Sequence, residues 1–309
     1  MVEPRVDPPV IDARRGSSHI LTGVARLMCI HAHPDDEASK GAPTIAKYVS
    51  EGHEASLICA TGGEEGDILN PAMDRDEIRA NLPAIRQTEL AASVKAIGYT
   101  EHVMLGYRDS GMPDTDGNFN HQCFAQADLD EAIGRFVAEI RRFRPHVIIT
   151  YADDQQGYQH PDHLRVHDIS LPAFDRSGDP GWYPEAGDPW EPKKLYYSIW
   201  SRARIVAWDA KYTELGLESP YDDKWFVRPD MDSRISTRVN IESFFPVRTR
   251  ALLAHATQID PAEKFWFGLP DADAAVAYPF EDFVLALSRV PTGQYETDLL
   301  EGITGESEQ

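Results

Sequence analysis

The chain has 309 residues, 42% of them hydrophobic, which is enough for a full globular core and too many for a disordered polymer. A formal charge of −21, from 30 basic and 51 acidic side chains, argues against electrostatic binding of nucleic acid or an anionic membrane. Three widely spaced cysteines form no disulfide framework and no Cys-x-x-Cys motif, and no run approaches the roughly 20 apolar residues of a spanning helix. The expectation is a cytoplasmic protein that acts on a small molecule, with homo-oligomerisation left open.

Residues 1–25 hold three prolines and scattered charges, and read as a loosely ordered extension. From there strands and helices alternate. Residues 26–32 read as a strand, 36–51 as a helix interrupted only by Pro43, and Glu54–Thr61 as the next strand. A Gly/acid loop, Gly62–Asp67, precedes a helical stretch over 74–97 that Pro83 ends or kinks. A short strand at 102–105, a polar loop at 107–122, a helix at 126–143, a strand at 146–151 and a helix after Pro161 complete the first half. This alternation implies right-handed βαβ crossovers and an α/β, Rossmann-like, mainly parallel sheet flanked by helices.

The character changes after about residue 172, and 177–192 is dense in Gly, Pro, Asp and Trp. Strands are then expected at 195–200 and 235–240, and helices at 201–216 and 243–258. The predicted organisation is an extension (1–25), a catalytic domain (26–175) and a smaller carboxy-terminal α/β part (176–309) that walls the cleft.

Two strings concentrate imidazole and carboxylate groups: His33-Pro34-Asp35-Asp36-Glu37 and His160-Pro161-Asp162-His163. Each follows an apolar strand, so both belong beyond the carboxyl ends of a parallel sheet, where such folds build sites. Zinc takes a few nitrogen and oxygen ligands and keeps one position open for catalysis. His33 and Asp36, three residues apart across a strand-to-helix corner, can converge on one ion with His163 as third ligand. Asp35 is then free to act as general base. His160 can serve the leaving amine or the oxyanion, with Asp162 holding its ring.

The bland alternative is that a lone His-Pro-Asp is a turn and that aspartates near a helix start are caps. Two such strings at matched topological positions weigh against it. Gly62–Asp67 lacks the dinucleotide-binding spacing, Walker A is absent, and there is no Gly-x-Ser-x-Gly elbow. His31 reads as a core or supporting residue. His53, His102, His121, His146, His167 and His255 have no partner spacing and read as structural.

With these residues in hand, the chain resembles the LmbE-like, or PIG-L, deacetylase family over nearly its whole length from about residue 26. The resemblance is carried by His33–Gly41, Thr61–Glu64, Asn70–Asp74, Arg108–Gly111, Arg144–His146, His160–His163, Lys194–Tyr197 and His255–Pro261. It implies His33, Asp36 and His163 as ligands of Zn2+, with Fe2+ as the alternative metal, and Asp35 as base. His160 would assist the oxyanion or leaving amine, with Asp162 beside it, and Tyr158 would polarise the scissile carbonyl. Arg86 and Asp109 match positions that hold a sugar–inositol moiety, and Lys40 matches a lysine of the family's amidase branch.

The implied reaction is hydrolysis of the amide joining S-substituted N-acetylcysteine to glucosaminyl-inositol in a mycothiol S-conjugate, releasing a mercapturic acid and the amine. The family usually runs Gly-Gly-Tyr before the second histidine string. Here 153–159 is one residue longer and more polar, a departure that bears on substrate choice. Two competitors remain: an N-deacetylase of an N-acetylglucosaminyl-inositol, and a sugar- or metal-binding module without catalysis.

Overall fold

The computed structural model describes residues 23–153, 155 and 158–304. The expected extension lies almost wholly outside these residues, as do Asp154, Gln156 and Gly157 of the lengthened loop. Seven strands form one sheet: β1 (Arg26–His31), β2 (Glu54–Thr61), β3 (Glu101–Tyr107), β4 (Val147–Tyr151), β5 (Lys194–Ile199), β6 (Thr237–Asn240) and β7 (Phe280–Ser288). Their order is β3-β2-β1-β4-β5-β7-β6. The first five pair in parallel, and β7 runs antiparallel to both β5 and β6.

β1 shows why the centre of the sheet reads as a continuous apolar run. Leu27 and Cys29 join the core on one face, while Met28 and Ile30 join the core on the other. A strand covered by helices on both faces cannot alternate apolar with polar. Cys29 and Cys59 are buried free thiols, as their setting in strands suggested, and burial pushes the Cys29 thiol up to about 12.

The strands after residue 176 join the same sheet. β5 extends the parallel half, and β7 then pairs antiparallel with it, from Lys194 opposite Ser288 to Ile199 opposite Asp282. The long β7 is absent from the sequence reading above. The predicted helix over 36–51 is two pieces, Asp36–Ser39 and Ala42–Ser50. The break falls at Gly41, whose φ of 106° suits glycine, while Pro43 sits harmlessly in the first turn of the second piece. Pro83 likewise opens the helix Leu82–Ile97.

Strand order reverses between β1 and β4: the chain leaves β1 toward β2 on one side, and β4 leads to β5 on the other. That reversal opens a crevice at the carboxyl ends of β1 and β4, and the two histidine strings follow those strands. Among the described residues, no helix is long and apolar enough to cross a membrane.

Candidate metal centre and cleft

The chain turns sharply after β1. Asp35 takes φ 118°, a left-handed conformation that a side chain disfavours, and this turn sends Asp36 into a short helix. The Asp35 N–H donates to Glu37 Oε2 at 2.9 Å. The other oxygen of Glu37 is held by Ser93 Oγ at 2.5 Å and His255 Nε2 at 2.6 Å.

Asp36 Oδ2 is the focus of the site. It accepts the His33 N–H at 3.0 Å and the Tyr151 hydroxyl at 2.6 Å. It also lies 3.5 Å from His33 Nδ1 and 3.3 Å from His163 Nε2. Lys40 Nζ takes the second oxygen, Oδ1, at 2.5 Å. Burial opposes ionisation of Asp36, yet the Lys40 ammonium holds its carboxyl well below the usual range. Burial lowers His163 to about 4, so its imidazole is neutral, the form a metal binds.

His33 is poised as a bridge. Its Nδ1 faces Asp36, while Nε2 lies 3.2 Å from Asp162 Oδ2 and 3.5 Å from Asp109 Oδ1. A histidine that offers one nitrogen to a cation and the other to a carboxylate is the usual orienting arrangement in metal sites. Asp162 is fully buried and also accepts from the N–H and Oγ of Ser110. Asp109 accepts the Gly111 N–H at 2.8 Å.

Among the described residues, two groups of side chains bring ligand atoms within 4.8 Å of one another: His33, Asp36 and His163, and His33, Asp109, His160 and Asp162. The first fits a catalytic cation better. Asp36 and His163 line the cleft, whereas the lone pairs of Asp109 and Asp162 are engaged by backbone and hydroxyl donors away from it. Two imidazoles and one carboxylate leave a coordination position open.

His160 caps the helix Pro161–Arg176, its Nδ1 accepting the Asp162 N–H at 3.2 Å. This corrects the expectation that the Asp162 carboxylate holds the His160 ring. That carboxylate is drawn to Ser110 and His33 and stays 4.0 Å from His160 Nδ1, so a backbone amide sets the tautomer. With Nδ1 accepting, the ring proton sits on Nε2. Burial lowers the His160 pKa. The rings of His33 and His160 meet edge to face at 4.4 Å. Tyr158 is 56% exposed on the cleft wall, its ring 5.4 Å from that of His163.

Arg86 stands elsewhere than the resemblance implied. It is buried behind Asp35, donating from Nη1 to the Gly63 carbonyl at 2.8 Å and from Nη2 to the Pro34 carbonyl at 2.6 Å and Asp35 Oδ2 at 3.1 Å. A Cβ at position 63 would sit 2.2 Å from the guanidinium, so only glycine admits this approach. Neither Arg86 nor Asp109 lines the cleft; Lys40 does. Burial raises the Asp35 carboxyl, and Arg86 holds it down.

Sequence reasoning missed Tyr151, Ser110 and Glu37, and took His255 as structural. Tyr151 is the last residue of β4 and stacks on His163 at 4.4 Å, a place at the sheet's carboxyl edge that could have marked it. The Glu37–His255 contact spans 218 positions and leaves no local signal. The cleft has a volume of about 500 Å³ and runs from Asp35, Asp36 and His163 to a wall that includes Trp200, Trp225 and Phe265.

A family model described as GlcNAc-PI de-N-acetylase, PIG-L, matches residues 28–174. The chain is 42% identical over 292 residues to the mycothiol S-conjugate amidase of Streptomyces coelicolor, covering 92% of this chain and 99% of that protein. It is 37% identical to the 1D-myo-inositol 2-acetamido-2-deoxy-alpha-D-glucopyranoside deacetylase of Streptomyces avermitilis, covering 90% and 97%. Its fold is similar to that of the N,N'-diacetylchitobiose deacetylase of Pyrococcus horikoshii, with a TM-score of 0.58 at 18% identity over 84% of this chain and 83% of that one.

Proposed function

Because the chain belongs to the PIG-L family, we propose that it is a metal-dependent amidase cleaving mycothiol S-conjugates to a mercapturic acid and glucosaminyl-inositol. The observation that carries this reading is the juxtaposition of the His33–Asp36–His163 cluster, with Asp35 beside it, and a cleft far larger than a two-carbon acetyl group needs. In this reading residues 26–175 carry the chemistry, residues 176–309 wall the substrate, and the enzyme works in the cytoplasm.

The donor set fits Zn2+ or Fe2+, held by His33 Nδ1, Asp36 Oδ2 and His163 Nε2. When bound, the metal supplies Lewis acidity at the open face of the cluster. The protein's own groups do the rest. Asp35 takes the proton of the attacking water, its carboxylate steered by Arg86. His160 presents its Nε2–H as a hydrogen-bond donor to the developing oxyanion, and the exposed Tyr158 hydroxyl donates to the same carbonyl, while the proton taken up by Asp35 passes to the leaving amine as the C–N bond breaks. Lys40, tied to Asp36, stands at the cleft wall where substrate passes.

The second reading is N-deacetylation of an acetylglucosaminyl-inositol, favoured by several relatives of that activity at 34–37% identity. Turnover of a bimane-labelled mycothiol conjugate is measured against that of the acetyl substrate on one enzyme preparation. A higher kcat/KM for the conjugate is expected; preference for the acetyl substrate rejects the amidase assignment. Metal content of active enzyme, measured by elemental analysis, decides between zinc and iron.

A further inference from the structure

The cleft lining has a polar part and an aromatic part. Around Asp36 the wall is polar, with Ser39, Lys40 and Gln258. In the aromatic part Trp200 stacks on Phe265 at 5.6 Å with planes 8° apart, and Trp225 stacks on Phe265 at 5.3 Å. Ile199 and Met231 extend the apolar lining. Of the nearby cations, Arg202 donates to the carbonyls of Phe226 and Arg228, and the Arg228 guanidinium lies over the Trp225 ring at 3.8 Å. Trp200, Trp225 and Phe265 are all only partly buried, although large aromatics are strongly favoured inside.

A sugar or inositol moved onto the Trp200 and Phe265 rings would lose hydration without gaining hydrogen bonds from the ring faces. A planar apolar group would gain area burial and offset stacking. The wall is assembled entirely from residues beyond 174, where the family model ends.

We infer that Trp200, Trp225 and Phe265 form the subsite for the substituent on the acyl side of the amide, and that the substituent it takes is a planar aromatic group. This deepens the amidase reading and rests on it for the identity of the amide. The polyol then lies toward the polar end, near Ser39 and Lys40.

Two measurements test it. In the first, kcat/KM is compared for S-naphthylmethyl and S-methyl mycothiol conjugates in the wild type and in Trp225→Ala and Phe265→Leu. The wild type is expected to prefer the naphthylmethyl conjugate at least tenfold, and each substitution to shrink that ratio several-fold; equal ratios in all three proteins overturn the inference. In the second, wild-type tryptophan fluorescence is titrated with S-naphthylmethyl-N-acetylcysteine and, separately, with glucosaminyl-inositol. Saturable quenching by the aromatic acid alone supports the subsite, and quenching by the polyol alone assigns the wall to the sugar and rejects it. The second measurement needs no turnover, so it stands even if neither conjugate is hydrolysed and the amidase reading falls.

Discussion

His255 Nε2 and Glu37 Oε1 lie 2.6 Å apart with both side chains fully buried. The pair joins the end of the helix Phe245–Ala254 to the corner after β1, and Glu37 passes the restraint to the Asp35 backbone through its other oxygen. Asp35 holds a strained φ of 118°, so something must over-determine it. His255→Ala removes the imidazole partner and leaves the buried Glu37 carboxylate held only by Ser93 and the Asp35 N–H. The expected cost is about 3–5 kcal/mol in urea unfolding, and kcat should fall more than KM changes because the base loses its position. Unchanged unfolding would remove the pair from this role.

Tyr151 donates to the same Asp36 oxygen that faces both imidazoles, and its ring packs on His163. Tyr151→Phe keeps the packing and deletes the donor. Metal affinity should weaken roughly 10- to 100-fold, as for other groups that orient ligands, measured by competition with a chromogenic chelator.

Under the proposed assignment, variants of Asp35 and His163 separate proton transfer from metal binding. Asp35→Asn is expected to keep its metal while turnover falls by about 10²–10⁴. His163→Ala loses one of three ligands, and both bound metal and activity should disappear together. Chelator treatment of the wild type should reproduce the second outcome, with recovery on adding Zn2+ or Fe2+. A fully active His163→Ala enzyme contradicts the ligand assignment.

The Arg86–Asp35 contact has a pH signature. Burial raises the Asp35 carboxyl above its ordinary 3.8, and the guanidinium opposes this. Removing the positive charge in Arg86→Met lets the pKa rise further, so the carboxylate form needed to accept a proton survives only at higher pH. The acid limb of kcat against pH should therefore move upward, with metal content unchanged. A limb that stays in place would show that Asp35 does not titrate in that range of the profile.

Much of the first half of the chain was legible from local pattern. The apolar runs at 26–32, 54–61 and 146–151 are strands because burial on both faces demands unbroken hydrophobicity, and that demand is written residue by residue. The two histidine strings were legible because parallel sheets present their carboxyl ends together. Their meeting around Asp36 follows from the reversal of strand order between β1 and β4.

Other features had no local trace. β7, the long antiparallel strand, is defined by pairing with β5 and β6, and its neighbours lie about 90 and 40 positions away. Arg86 looks like an available cation in sequence, but folding surrounds it with the carbonyls of Pro34 and Gly63. Asp162 sits two residues from His160 yet turns to Ser110 and His33, because a helix start aims a capping histidine and the second residue after it in different directions.

The amino-acid sequence by itself therefore determined which chemistry was available: imidazoles and carboxylates at the ends of two buried strands. Only the tertiary structure decided which atoms of those groups face one another, which stand behind them and what walls the cleft. Secondary structure answers to periodicity within a dozen residues. Hydrogen bonds such as Tyr151 to Asp36 and His255 to Glu37 answer to distance in space, which chain spacing does not encode.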